Sequence, residues 1–263
     1  MKIYIFTDLE GITGIYSKEQ VLSTGSKYAE GRSFMTHDVN TVAEACKEAG
    51  AEEVWVRDGH GAGGTLLYDR LSPAVDWVIQ GATPRERMTG LSGCDAVILL
   101  GYHAMAGTES AVLEHSMSSA VIQNYWINGK KAGETAIDAG IAGEYGKPVI
   151  LVTGDDKLCA EVEDAVPGAV TAMVKKGTSS FGSVMLPRHR ADALLRQKTI
   201  DAIRRAPEIH PVIYPSPVRL RVELVERINT PTIMAKPYMT LIDGRTFEVE
   251  GRTMSEALAR AGL

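Results

Sequence analysis

The sequence predicts an α/β protein: a three-layer α/β/α body with a mainly parallel central sheet, followed by a smaller α+β carboxyl-terminal part. Three observations carry this expectation. Short apolar runs alternate with helical stretches through the first 187 residues, which is the rhythm of βαβ units. One run, from Pro148 to Asp155, is apolar without alternation, as a strand covered on both faces must be. Beyond Pro187 the texture changes to a basic helix, a proline-bearing stretch and alternating strands. We therefore expect a main α/β domain over 1–187 and a smaller α+β part over 188–263.

In order along the chain, Lys2 to Thr7 reads as the first strand, Thr36 to Ala49 as a helix, and Glu53 to Arg57 and Asp95 to Gly101 as further strands. Tyr125-Trp126-Ile127 leads through the turn Asn128-Gly129-Lys130-Lys131 to Glu134, at the mouth of a helix running to Tyr145. After the strand ending at Asp155, a helix is expected over Asp156 to Val166 and a strand over Ala169 to Val174. The acidic pair Asp155-Asp156 fits a helix cap better than a ligand pair. Lys175 and Lys176, in the run to Ser180, offer a contact for an anionic substrate end, but two exposed lysines beside a strand are more commonly just solvated. The last part offers a helix from Arg188 to Arg205, prolines at 207, 211, 215 and 217, strands over Val218 to Val225 and Thr246 to Val249, and a final packing helix from Ser255 to Ala261.

Composition narrows the function. A chain of 263 residues buries a full core without staples, and its three cysteines, Cys46, Cys94 and Cys159, lie too far apart in sequence for a CxxC pair. That usage suits a reducing compartment. The opening run before Asp8 is too short for a signal sequence or a membrane span, so the expected location is the cytoplasm, with no membrane partner. The net charge of -5 comes from 28 basic and 33 acidic residues intermixed along the chain. No basic stripe exists to follow a phosphate backbone, and nucleic acid is not expected as a partner.

The chemistry should lie beyond the carboxyl ends of the parallel strands, where loops converge on a rigid support. The first strand ends in Thr7-Asp8-Leu9-Glu10-Gly11. Residues two apart in extended backbone point the same way, so Asp8 and Glu10 face one side and Leu9 the other. Two further strand ends deliver His60, after Asp58-Gly59, and His103, after Gly101-Tyr102. Glu134 completes the set. Singly, each has an ordinary structural explanation; together, three carboxylates and two imidazoles without a thiolate suit zinc, manganese or cobalt. Five ligands are generous for one catalytic ion and natural for two, about 3.5–4 Å apart, with one bridging carboxylate, for which Asp8 is the choice. Asp58 is expected to orient His60 from behind. The glycine-rich run after it, Gly59 to Gly64, lacks the lysine and hydroxyl of a phosphate loop and reads as a loop giving backbone access.

These segments resemble a known family. IYIFTDLEGITG, VRDGH, LLGYHAMAG, EHSM at Glu114 to Met117, INGKKAGE and VTGDD are similar, in order and spacing, to the D-aminopeptidases of family M55, the metallopeptidases of the bacillus dipeptide operon. The likeness spans most of the chain and weakens after about Pro187. It implies two zinc ions, with Asp8 shared, Glu10 and His103 on one ion, and His60 and Glu134 on the other. It also marks His115 as catalytic and implies a ring-stacked homodecamer. One departure is Gly59, where the bacillus motif has serine. The expected activity is removal of the first residue of short peptides or related amides, with D-residue preference inferred from the likeness alone. His115 is compatible both with acid–base work and with nucleophilic attack. The rivals are an amidase for a non-peptide compound or a two-metal phosphoesterase using the same ion pair, and, from another class, a metal-dependent binding protein without turnover.

Overall fold

The computed structural model describes residues 1–83, 86–226 and 236–262. Its central sheet has seven strands: β1 (Lys2–Thr7), β2 (Glu53–Asp58), β3 (Trp77–Ile79), β4 (Ala96–Leu100), β7 (Val149–Asp155), β8 (Val170–Ser179) and β9 (Gly182–Met185). Their spatial order is β3-β2-β1-β4-β7-β8-β9. All neighbours run parallel except the edge hairpin β8–β9. The mainly parallel sheet expected from sequence is therefore present. Alternation splits β1 between two cores: Ile3 and Ile5 face one, with Val54, Val56 and Ile98, while Tyr4 and Phe6 face the other, with Val97 and Leu99. Both faces are covered, which is why these strands are apolar throughout.

Helices α2 (Tyr28–Glu48) and α5 (Arg188–Arg205) supply Met35, Val39, Leu195 and Ala202 to the first core. The opposite core takes Ile137 and Ala139 from α3 (Glu134–Glu144) and Leu158 and Val162 from α4 (Asp156–Ala165). Helix α2 begins eight residues before the expected Thr36. Its early turns hold Gly31 and exposed polar residues, which dilute the apolar period that the prediction rests on.

A second sheet is wholly antiparallel, in the order β11-β12-β10-β5-β6. It joins β5 (Ile122–Ile127) and β6 (Lys130–Ala132) to β10 (Val218–Leu224), β11 (Met239–Leu241) and β12 (Thr246–Gly251). Strands from before and after Pro187 thus pair directly, and α6 (Met254–Ala261) packs its Ala257 and Leu258 into the same core. Among the described residues no helix is long and apolar enough to cross a membrane.

The strand order reverses at β1: the chain moves outward from β1 to β2 on one side and returns to β4 on the other. That is the switch point at which an α/β sheet opens a crevice. Two glycines let the flanking loops close on it. A Cβ on Gly11 would lie 1.8 Å from the Tyr102 carbonyl oxygen, and one on Gly101, at φ +75°, 2.4 Å from that of Asp8.

Candidate metal centre

Three strand ends and one helix start meet in this crevice. Asp8 and Glu10 follow β1, His60 follows β2, His103 follows β4, and Glu134 opens α3. Leu9 turns into the core beneath α2, leaving the two carboxylates on the crevice side. His103 Nε2 stands 3.4 Å from Asp8 Oδ2 and 3.1 Å from Glu134 Oε1. His60 Nε2 stands 3.5 Å from Glu10 Oε1. Ligand atoms of Asp8, Glu10 and His103 all lie within 4.8 Å of one another, and so do those of His103, His115 and Glu134. All six sequence-predicted residues therefore come together. His60 touches the Glu10 side of the group and Glu134 the His103 and His115 side.

The imidazoles are held from behind by acceptors that fix their tautomers. His103 Nδ1 donates to the Ala104 carbonyl at 3.0 Å and His115 Nδ1 to the Leu113 carbonyl at 2.9 Å. In each case Nε2 is the nitrogen turned to the site. His60 Nδ1 meets Thr65 Oγ1 at 3.1 Å. Asp58 acts one step further back, accepting the N–H groups of Thr65 at 2.6 Å and Leu66 at 2.8 Å. The expectation that Asp58 orients His60 holds through Thr65, not by direct contact. Gly59 is explained by packing, since a Cβ there would come 2.4 Å from the Phe6 ring.

His115 lies flat on His103, ring centroids 3.9 Å apart and planes 13° from parallel. Its loop is strained: Leu113 and Met117 both take positive φ, 53° and 59°, a conformation that costs non-glycine residues on the order of 1 kcal/mol or more each. The strain aims the loop. Met117 N–H donates to Glu134 Oε1 at 2.6 Å, and His115 Nε2 is 3.8 Å from that same oxygen.

Charge dominates the crevice. Burial alone would raise the Glu134 carboxyl, but His103 and His115 hold it down at about 2; Glu10 is likewise lowered, with burial opposed by His60, His115 and His103. The imidazoles mirror this. Burial opposes the charge on His60, but Glu10 and Asp8 lift it to about 9, and Glu134 and Asp8 raise His103 well above the ordinary range. Asp8 thus acts on both halves of the group.

Several residues in the site escaped the sequence reading. Arg87 donates to both oxygens of Asp138, at 2.6 and 3.0 Å, and to Glu134 Oε2 at 3.3 Å; Tyr102 donates to Asp138 at 2.7 Å. Asp138 stands one turn after Glu134 on a buried helix face, a spacing that was the available signal. Lys175 corrects an expectation. It is not solvated but 1% exposed, donating to the carbonyls of Glu10, Ile12 and Ile15 at 2.6, 2.9 and 2.7 Å. It thereby pins the loop that carries Glu10. Asp155 behaves as expected, capping α4 at Leu158 N–H and also accepting from Val112 N–H, which steadies the His115 loop from its start.

The donor set can be tested for its fit to a metal. His103 Nε2 and Glu10 Oε2 are buried and make no well-formed hydrogen bond with any described residue. Buried donors left facing one another, with oxygen and imidazole nitrogen as the atoms, are what a divalent cation satisfies. The residues fit zinc.

The sequence model of peptidase family M55, D-aminopeptidase, matches residues 1–261. The chain belongs to that family. It is 33% identical over 224 residues to a D-aminopeptidase of Bacillus subtilis, a match covering 85% of this chain and 81% of that protein. Its structure is similar, at a TM-score of 0.93 and 30% identity, to that of the zinc-dependent D-aminopeptidase DppA of Bacillus subtilis, a self-compartmentalizing protease. That alignment covers 100% of this chain and 95% of the other. The M55 resemblance and the mixed α/β fold read from the sequence both stand.

Proposed function

We propose that this M55 protein is a zinc-dependent aminopeptidase that hydrolyses the N-terminal amide bond of short peptides, including those that begin with a D-residue. Asp8, Glu10, His60, His103 and Glu134 would hold two ions, with Asp8 as the ligand common to both. The observation that carries this is the pair of buried atoms without a well-formed hydrogen bond among the described residues, His103 Nε2 and Glu10 Oε2, in a cluster of carboxylate and imidazole groups. When bound, zinc supplies Lewis-acid polarisation of the amide carbonyl and makes water acidic enough to react at neutral pH.

The chain's residues do the remaining work. The carbonyls behind His103 and His115 keep each Nε2 aimed inward, and Thr65 holds His60 from behind. Met117 N–H and Arg87 fix the two Glu134 oxygens. His115, 17% exposed at its side chain, is the group with access to a substrate. As water attacks the carbonyl carbon, His115 Nε2 takes the proton the water loses, and as the C–N bond breaks it passes that proton to the departing amine. Phe6, Arg57, Gly59, Arg87 and Met117 wall a cavity of about 680 Å³, next to the centre through Arg87 and Met117, which bond Glu134, of a size that takes a small peptide.

We extend to this chain a large closed homo-oligomer, a decamer by the family resemblance. Its edge hairpin β8–β9 leaves Phe181, Val184 and Met185 exposed, an apolar edge that a neighbouring subunit would cover. The reading is tested by metal content per chain and by hydrolysis of D- and L-aminoacyl peptides, non-peptide amides and a phosphoester in zinc, manganese and cobalt. Two ions per chain and turnover of aminoacyl peptides are expected. Stoichiometric metal without hydrolysis of any of them would refute it.

A further inference from the structure

The cavity beside the metal centre contains a cation whose hydrogen bonds, among the described residues, all go to uncharged acceptors. Arg57, next to last in β2, is buried. Its Nη1 donates to the carbonyls of Gly81 at 2.9 Å and Ile79 at 3.4 Å, its Nη2 donates to Thr83 Oγ1 at 3.1 Å, and its Nε has no partner. None of these acceptors is charged. The adjacent Asp58 gives Oδ2 to the backbone N–H groups of Thr65 and Leu66 and favours the Arg57 cation by its charge without a hydrogen bond to it. Buried arginines are ordinarily matched by a carboxylate, because an unpaired charge is expensive to desolvate.

A second guanidinium shares this wall. Arg87 lies 5.1 Å over the Phe6 ring, and Phe6, Arg57 and Arg87 all line the same cavity. Arg87 spends Nε and Nη2 on Asp138 and Glu134, which leaves Nη1 without an acceptor among the described residues. The two guanidiniums repel each other. Of the carboxylates along the cavity, Glu144 accepts from Ser255 N–H at 2.7 Å and Glu86 is exposed. The inner wall therefore carries two guanidiniums with N–H groups to spare, on Nη2 of Arg57 and Nη1 of Arg87, an arrangement suited to an anion.

We propose that Arg57, together with Nη1 of Arg87, receives the carboxylate at the substrate's carboxyl terminus. The substrate class is then short peptides with a free terminal carboxylate, in preference to peptide amides or the ends of longer chains. This rests on the aminopeptidase reading, which sets the register: Arg87 touches Glu134, so the carboxylate sits within a residue or two of the scissile bond. The free amine end lies at the ligands and the acid end at the arginines.

The test compares a D-alanyl dipeptide with the same dipeptide as its carboxyl-terminal amide, on the zinc-loaded protein. The acid is expected to have a kcat/KM at least about tenfold above the amide, carried by KM. Arg57→Gln should bring that ratio close to one, and Arg57→Lys, which keeps the charge without the fork, should restore part of it. Equal rates on acid and amide in the natural protein, or an unchanged ratio in Arg57→Gln, would overturn the assignment. Calorimetric binding of the two dipeptides separates it from the hydrolytic reading. If neither is cleaved, that reading falls, while tighter binding of the acid that is lost in Arg57→Gln still supports the anchor and equal binding of both refutes it.

Discussion

The crevice at the switch point and the antiparallel sheet handle charge in opposite ways. In the crevice, Glu10, His103 and Glu134 are buried, His103 stands 3.4 Å from Asp8 and 3.1 Å from Glu134, and two polar atoms of this group lack a well-formed hydrogen bond among the described residues. On the antiparallel sheet, Arg219–Glu250, Arg221–Glu248 and Arg245–Glu223 form pairs of exposed arginines and glutamates that keep part of their surface in water, while Leu220, Val222, Phe247 and Val249 fill the core beneath. The second arrangement is what stability alone selects. The first is costly, and its persistence in the fold is intelligible only if something binds there.

Removing Asp8, the carboxylate proposed as the shared ligand, should break this contrast most severely. Asp8→Ala is expected to lower zinc content well below that of the natural protein and to cut kcat/KM by roughly three orders of magnitude, the loss of several kcal/mol of Lewis-acid stabilisation. Metal analysis after dialysis, beside steady-state rates, reads both. Zinc retained at full stoichiometry would exclude Asp8 as the bridge.

His115→Ala comes next. It removes an imidazole that stacks on a ligand without being assigned as one, so the metal should stay while kcat falls by about 10²–10³, the usual worth of a placed acid. A parallel loss of zinc would make His115 a ligand instead.

How much of this was legible in the sequence depends on the range of the interactions. Asp8 and Glu10 were readable because their spacing of two is a local property of extended backbone, and Leu9 indeed fills the core between them. His60, His103 and Glu134 were readable because strand ends and a helix start are local signals, and an α/β sheet collects such ends by topology. Lys175 was not readable. A lysine breaking the alternation of β8 looks solvated until the carbonyls of Glu10, Ile12 and Ile15 arrive from the far end of the chain. The Arg87–Asp138 pair, 51 positions apart, is equally non-local, as is the pairing of β10 with β5. Pattern gives elements and their ends; it does not give the partner that a buried charge finds.

Lys175→Met tests the buried ammonium directly. The substitution keeps the stem and takes their donor from the Glu10 and Ile15 carbonyls, while that of Ile12 keeps Ile15 N–H, so a loss of about 3 kcal/mol of stability is expected from denaturant unfolding. Because those carbonyls belong to the Glu10 loop, weaker zinc retention should accompany it. A variant as stable and as well metallated as the natural protein would mean the contacts are incidental.

Glu161 sharpens the comparison by pH. Burial raises its carboxyl to about 7, although Met105 N–H, at 2.8 Å, favours the ionised form. Its folded pKa lies above its unfolded one, so the folded state holds the extra proton in between. The stabilisation is fully present below about 4.5 and is lost as pH rises through about 7, a swing on the order of 2 kcal/mol. Glu161→Gln should flatten that slope in the difference between the two proteins' unfolding free energies at pH 5 and pH 8. An identical slope in both would place the proton elsewhere.

The smallest effect is expected on the antiparallel sheet. Arg221 lies 3.2 Å from Glu248 across β10 and β12, with its side chain 40% exposed. Water solvates both partners almost as well apart as together, and holding two long side chains in one geometry costs entropy. Arg221→Ala should therefore change stability by no more than about 0.5 kcal/mol in denaturant unfolding, and added salt should shrink even that. A loss comparable to that of Lys175→Met would mean that the ion pairs above this core are structural rather than solubilising, and the distinction between the two regions would then rest on the metal centre alone.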